Sequence, residues 1–280
     1  MRGSSIRIGV AAPSSRIEPD VAERVLRLAE NIYPDRQLDI CFHPQCFYSS
    51  GHFAGDDADR AQAFLEIAND DSFDALWFAR GGYGSCRLAE AVVAGLGEAA
   101  RRKRYLGYSD AGSLLAALYK AGCPVAHGPM PSDINRPGGG VAVARALAFL
   151  TGGTGDAIEA SVSAATPAVA FNITILSHLL GTALEPDLSG HVLMLEEVSE
   201  HMYRIDRALF HITGTPSMRR VAGIRLGRCG GIPANIPDFG QNEEQVVRHW
   251  CERSGIPWLG RADIGHDVDN KVVPFGCWGG

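Results

Sequence analysis

The sequence predicts an α/β fold: an N-terminal flavodoxin-like parallel sheet with flanking helices, followed by a smaller mixed α+β C-terminal domain. Three observations carry this. Short apolar runs alternate with amphipathic helical stretches through the first half of the chain, the alternation stops after His127-Gly128-Pro129, and a different spacing of elements resumes near residue 171. At 280 residues, 46% hydrophobic and 21% charged, the chain is long enough for one large core or two modest ones.

The elements follow in order. Ile6-Arg7-Ile8-Gly9-Val10-Ala11 reads as the opening strand. Residues 20–33 read as a helix, with Val21, Val25, Leu28, Ala29 and Ile32 on one face. Residues 38–42 are strand-like, and 56–69 helical with Ala61, Phe64, Leu65 and Ala68 as the stripe. A buried strand over 74–79 is followed by a helix over about 85–100, a strand over 105–107, a helix over 112–121 and a strand over 124–127. Five strands separated by helices imply parallel pairing with right-handed crossovers. Arg136-Pro137-Gly138-Gly139-Gly140 is a breaker, and a helix over 141–150 follows it. The Gly-rich and Ala/Ser-rich stretch to 170 reads as a linker or loose strands. Beyond it come a helix (172–180), a strand (191–195), a helix (203–212), a strand (221–226), a helix (243–253) and a terminal strand-and-loop segment (257–275). The expected division is therefore 1–135 for the first domain, 136–170 for a linker and 171–280 for the second.

Composition narrows the function classes. A net charge of -6, from 26 basic and 32 acidic residues, argues against nucleic acid as a partner, which needs a basic face. The basic run Arg101-Arg102-Lys103-Arg104 reads as a solvated loop between a helix and a strand. Seven cysteines without a CxxC pair disfavour a disulfide framework or a zinc site, and there is no HExxH. No apolar run is long enough to span a membrane, and the opening segment lacks the apolar region of a secretory signal. A cytoplasmic protein with no metal, no cofactor and no membrane partner is expected; a homodimer is left open.

Two strand ends could carry chemistry. In Gly107-Tyr108-Ser109-Asp110-Ala111 a short apolar strand runs straight into a helix, the geometry of a nucleophile elbow. The same residues also read as a plain helix N-cap. In Arg80-Gly81-Gly82-Tyr83-Gly84 the glycines let the backbone approach a ligand, or simply make a turn, and the spacing fits neither common phosphate-loop pattern. Both lie where open α/β sheets bind ligands. A hydroxyl nucleophile needs a base and an orienting carboxylate. His127, His266 and the pair Glu196-Glu197 are the candidates; His127 reads as a loop histidine packed behind the site.

Five ordered motifs together bring out a resemblance. Phe78-Ala79-Arg80-Gly81-Gly82-Tyr83-Gly84, Gly107-Tyr108-Ser109-Asp110, His127-Gly128-Pro129-Met130, Leu195-Glu196-Glu197-Val198-Ser199-Glu200 with Tyr203-Arg204-Ile205-Asp206-Arg207, and Gly265-His266 with Asn270 and Pro274 resemble the LD-carboxypeptidases, the muramoyltetrapeptide carboxypeptidase family of serine peptidases. The resemblance implies a Ser109–Glu196–His266 triad split between two domains. It also implies hydrolysis of the bond between the L-centre of a diamino acid and the terminal D-alanine of a murein tetrapeptide, a step of peptidoglycan recycling that uses no cofactor. Where the family carries Gly-Gly-Asn ahead of the Glu motif, this chain has Ala170-Phe171-Asn172, and Asn172 is the matching candidate for substrate contact. An oxyanion hole is expected from the Asp110 N–H and one from the Gly81-Gly82 turn, with Arg80 the candidate for the substrate carboxylate. The alternatives are the microcin-immunity branch acting on acylated aminoacyl nucleotides, an α/β-hydrolase-type esterase, and a non-catalytic ligand-binding module.

Overall fold

The computed structural model describes residues 6–34, 38–153 and 155–279. The first five residues, read with the opening strand, and Thr154 of the stretch read as a linker lie outside the described residues. The chain runs β1 (Ile6–Ala11), α1 (Pro19–Ile32), β2 (Leu38–Phe42), α2 (Asp57–Asn69), β3 (Ala75–Phe78), α3 (Ser85–Ala94), β4 (Arg104–Gly107), α4 (Gly112–Lys120) and β5 (Val125–His127). The strands pair in the order β2-β1-β3-β4-β5, all parallel. This is the doubly wound flavodoxin-like order, in which ligands bind beyond the carboxyl ends of the strands where the winding reverses, here between β1 and β3.

Local chemistry explains the element ends. Asp56 and Asp59 exchange side-chain and backbone hydrogen bonds, 2.8 and 3.0 Å, and so start α2. Helix α3 stops at Ala94 rather than running to about 100. The Asn69 side chain there donates to the Gly95 carbonyl at 3.0 Å and accepts from the Gly97 N–H at 2.7 Å, turning the chain into a 3-10 turn over Ala99–Arg102. Only half of the basic run is solvated. Arg101 and Arg102 are exposed, Lys103 is buried, and Arg104 opens β4, because the strand starts earlier than its apolar residues suggest.

After β5 the chain forms α5 (Gly139–Leu150), inside the segment read as a connection. Its Val143, Ala146 and Leu147 pack with Val21, Val25 and Ala29 of α1 against Ile8, Val10 and Trp77 of the sheet. Helices α2, α3 and α4 cover the opposite face. The remainder is β6 (Ala168–Asn172), α6 (Ile173–Leu179), β7 (Val192–Val198), α7 (Met202–Gly214), β8 (Gly223–Gly230), α8 (Glu243–Ser254) and β9 (Trp258–Arg261). Its sheet, β6-β7-β8-β9, is parallel throughout, so the second half is also α/β rather than mixed. Strand β6 is fully buried and so lacks the alternation of a half-exposed strand, and the Ala/Ser-rich stretch before it offers no amphipathic helix to set it off, as helices set off the equally buried β3 and β5. The last strand, β10 (Val273–Pro274), returns to the first sheet and pairs antiparallel with β5.

Helix α4 joins the two halves. Gly112 through Leu118 are all buried, so the helix meets solvent only at its last turn, where Lys120 is exposed. One continuous core runs from Leu76, Phe78 and Tyr105 of the first sheet through Leu114, Leu115 and Leu118 to Phe171, Leu193, Leu195 and Leu226 of the second. Burying each leucine of α4 contributes about 2 kcal/mol before ordering costs. Among the described residues, no helix is long and apolar enough to cross a membrane.

Candidate active site

The carboxyl ends of β1, β3, β4 and β5 open onto a cleft of about 450 Å³. Its lining includes Arg80, Gly81 and Gly82 after β3, Tyr108 and Ser109 after β4, Met130 to Arg136 in part after β5, and Val198 and His266 from the second half. The cleft thus draws on both halves of the molecule.

Ser109 sits at the abrupt change from β4 to the 3-10 turn Ser109–Ala111 that leads into α4. Its φ is 63°, the left-handed region that a residue with a Cβ adopts only when its surroundings hold it there. A nucleophile elbow requires such a strained turn, and a simple N-cap in extended conformation does not. Asp110 is buried and holds the turn down. Its carboxylate accepts from Ser14 Oγ at 2.5 Å and from the Ser85 N–H at the start of α3 at 2.9 Å, while its carbonyl accepts from Ser85 Oγ. Both bonds fall on one oxygen, Oδ2, and turn the Asp110 side chain toward Ser14 and α3, leaving its backbone N–H as the group beside Ser109.

The glycine turn approaches the serine closely. A Cβ on Gly81 would lie 3.0 Å from Ser109 Oγ, and Gly82 has φ +118° with Ser15 Oγ 2.5 Å from the position of its absent Cβ. Any side chain at Gly81 would crowd the hydroxyl, and one at Gly82 would strain the backbone. Arg80 lines the cleft and is exposed; its guanidinium reaches the Arg16 carbonyl at 3.4 Å and, among the described residues, pairs with no carboxylate.

Glu196 and Glu197 are 0% and 3% exposed. They project in opposite directions from β7, next to a register shift against β8 between Leu195 and Glu197. Glu196 accepts a hydrogen bond from Nδ1 of His266. Glu197 is held by Asn172 Nδ2 at 2.7 Å, the Thr174 N–H and hydroxyl at 2.9 and 2.7 Å, and the Val198 N–H at 2.9 Å. Burial is the main influence on Glu197 and pushes its carboxyl up, against those donors. Asn172 departs from its expected substrate role. Its oxygen caps α6 through the Ile175 N–H at 3.1 Å and its nitrogen holds Glu197, so the side chain is engaged inside the fold, and it does not line the cleft.

His266 is pinned from several sides. Arg228 on β8 grips Asp263 at 2.5 Å and Asp267 at 2.5 and 2.8 Å, on either side of the histidine. Arg145 of α5 donates to the Val268 and Asn270 carbonyls at 2.8 and 3.0 Å. Asn270 Oδ1 accepts the Gly265 N–H and a bond from His127 Nε2, both at 3.2 Å. The Tyr108 ring lies 4.8 Å from the His266 ring, between it and His127 at 5.5 Å. Burial disfavours the His266 imidazolium, but the charge and hydrogen bond of Glu196 outweigh it and raise the ring above its ordinary value. His127 is fully buried and desolvation holds it neutral, with its pKa lowered to about 4, as befits a packed histidine behind the site.

The sequence does not single out Tyr108, Asp133 and Arg136 as a group. Tyr108 Oη donates to Asp133 Oδ1 at 2.8 Å, Arg136 Nε donates to the same oxygen at 3.0 Å, and the Met130 N–H takes the other oxygen at 2.8 Å. The signal that could have found them is local: Pro131 followed by Asp133, with arginine three residues on, is the pattern of a self-capped turn. Among the described residues, no group of three or more His, Cys, Asp or Glu side chains is placed to hold a metal ion.

Comparison with known proteins matches both halves of the chain. Residues 8–128 match the family model of the LD-carboxypeptidase N-terminal domain, and residues 167–279 match that of the LD-carboxypeptidase C-terminal domain. A murein tetrapeptide carboxypeptidase of Pseudomonas aeruginosa is 26% identical, over 96% of this chain and 91% of that protein. The crystal structure of a muramoyltetrapeptide carboxypeptidase from Oxalobacter formigenes superposes with a TM-score of 0.79 at 24% identity, covering 96% of this chain and 93% of that one. The microcin C7 self immunity protein MccF, in complex with aspartyl sulfamoyl adenosine, shares the fold with a TM-score of 0.77 at 17% identity, covering 98% and 92%. With both halves matched in order, this chain belongs to the LD-carboxypeptidase family.

Proposed function

We propose that the protein is a serine carboxypeptidase that removes the terminal D-alanine from murein tetrapeptides by hydrolysing an L,D-peptide bond. The observation that carries this reading is the delivery of the buried Glu196–His266 pair to the cleft that holds Ser109 in its strained turn. Ser109 Oγ attacks the carbonyl carbon of the residue before D-alanine, and His266 Nε2 takes the hydroxyl proton. Glu196, on Nδ1, fixes the tautomer and stabilises the imidazolium that forms. The Asp110 N–H and an N–H of the Gly81-Gly82 turn face the oxygen as negative charge develops. His266 then protonates the amine of D-alanine, and water, activated by the same ring, releases the acyl group from Ser109. Arg80 contributes to substrate binding at the exposed edge. The cytoplasm, where recycled murein peptides are processed, is the compartment this reading implies.

Incubation with a murein tetrapeptide ending in D-alanine, followed by chromatography for tripeptide and free D-alanine, tests the reading. Ser109→Ala and His266→Ala, singly and together, are expected to lose similar rates, about 10⁴-fold or more, because the residues act as a unit. Chelators are expected to leave the rate unchanged. A Ser109→Ala protein with near-normal turnover would overturn the serine mechanism, and a wild-type protein inert on the tetrapeptide would overturn the substrate.

A further inference from the structure

A substrate that loses only its last residue carries a carboxylate about 3.8 Å, one residue's length, beyond the bond that breaks. Moving that charge from water into a cleft is unfavourable unless a cation or a set of fixed donors receives it. The receiving group must therefore lie within a residue's length of Ser109 and His266. Two arginines line the cleft, Arg80 and Arg136. The Arg80 guanidinium reaches toward the Arg16 carbonyl on the loop after β1 and, among the described residues, has no carboxylate to orient it.

Arg136 is arranged differently. Its Nε donates to buried Asp133 at 3.0 Å, and its Nη2 points to Tyr108 Oη at 3.4 Å. The inner edge of the guanidinium is thereby fixed, while Nη1 has no partner among the described residues and the side chain is 39% exposed. The turn beneath is rigid: Asp133 takes the Met130 N–H, and Arg24 braces the Ile134 carbonyl and the Asn135 side chain. Tyr108 directly precedes Ser109, and its ring lies 4.8 Å from that of His266. The outer edge of Arg136 is thus anchored one side chain away from both reacting groups.

We propose that Arg136 receives the terminal carboxylate of the substrate, with Asp133 and Tyr108 holding its guanidinium in place, and so makes the enzyme an exopeptidase. This rests on the carboxypeptidase reading above. The two nitrogens of the outer edge match the two oxygens of a carboxylate, a recognition that lysine reproduces as a charge but not as a fork.

The test compares the tetrapeptide with a free terminal carboxylate and the same peptide as a C-terminal amide. Wild type is expected to favour the free acid. Arg136→Lys and Arg136→Gln are expected to lose about 10- to 100-fold in kcat/KM on the free acid, mostly through KM, with little change on the amide, so the preference collapses. Arg80→Gln is expected to keep the preference. Because Arg136→Gln leaves Asp133 without its cation, thermal unfolding is followed for each variant; if that one fails to fold, Arg136→Lys, which keeps the charge, decides alone. Calorimetric binding of the free-acid peptide to Ser109→Ala, and its weakening in Ser109→Ala/Arg136→Lys, gives a readout independent of turnover. Equal losses on acid and amide, an unchanged preference, or collapse in Arg80→Gln instead would overturn the assignment. A wild-type protein that neither cleaves nor binds the free acid would overturn the carboxypeptidase reading itself.

Discussion

At the scale of single residues, the Glu196–His266 pair links pH to two properties of opposite sign. The folded-state pKa of His266 is raised, so the ring's contribution to stability is complete below the ordinary value of 6.5 and is lost as pH rises through the higher folded value. Acting as the proposed general base requires the neutral ring, so activity is expected to be gained over the same interval. The acid limb of kcat/KM is therefore expected above 6.5. In Glu196→Gln the charge that offsets burial is gone; the limb is expected to fall below 6.5 while the rate drops by about 10³-fold or more. A pH profile of both proteins checks this, and a limb that stays in place would show that another group controls it. The triad candidates were legible because each sits beside a strong local signal: a strand end, a glycine turn or a carboxylate closing an apolar run. The choice of Glu196 over Glu197 was legible through the family motif, with the alternation of the strand Val192 to Glu196 in support. Side-chain packing then gives each a different task, with Glu197 binding the start of α6 and Glu196 facing His266.

At the scale of elements, the loop that carries His266 is the part most dependent on long-range contacts. It has no regular structure of its own, and Arg228 secures it by gripping a carboxylate on each side of the histidine. Arg228→Ala is expected to free the loop and lower kcat by about 10²-fold, the scale at which a small misplacement of a reacting group is felt. The partly exposed position of Arg228 limits the accompanying loss of stability to about 1 kcal/mol. Turnover and thermal unfolding of the variant separate the two effects, and an unchanged kcat would show that Arg145 and Asn270 suffice. Asn172 carries the opposite lesson. Its place ahead of the Glu motif suggested substrate contact, but its oxygen caps α6 and its nitrogen holds Glu197, so the side chain is 5% exposed and stands outside the cleft lining.

At the scale of the whole molecule, α4 makes the two sheets one cooperative unit. The core passes through it without a break, so removing apolar bulk there weakens both halves. Leu115→Ala is expected to cost about 2–5 kcal/mol and to leave one unfolding transition rather than two. Trp77 in the first sheet and Trp250 and Trp258 in the second half allow the halves to be followed by fluorescence in single-tryptophan variants. Separate midpoints would show that the halves unfold independently. The sequence by itself determined the first sheet, because its short buried apolar runs are set apart by amphipathic helices whose solvent faces leave a period that can be read, and it singled out Ser109, Glu196 and His266 as candidates. Only the tertiary structure decided that β6 is a strand, that the second sheet is wholly parallel, that β10 returns to β5, and that Arg136 stands beside Tyr108 rather than apart from the site. Full burial erases the period of a strand, and the partners of a buried charge are chosen by how distant segments pack, which no local pattern records.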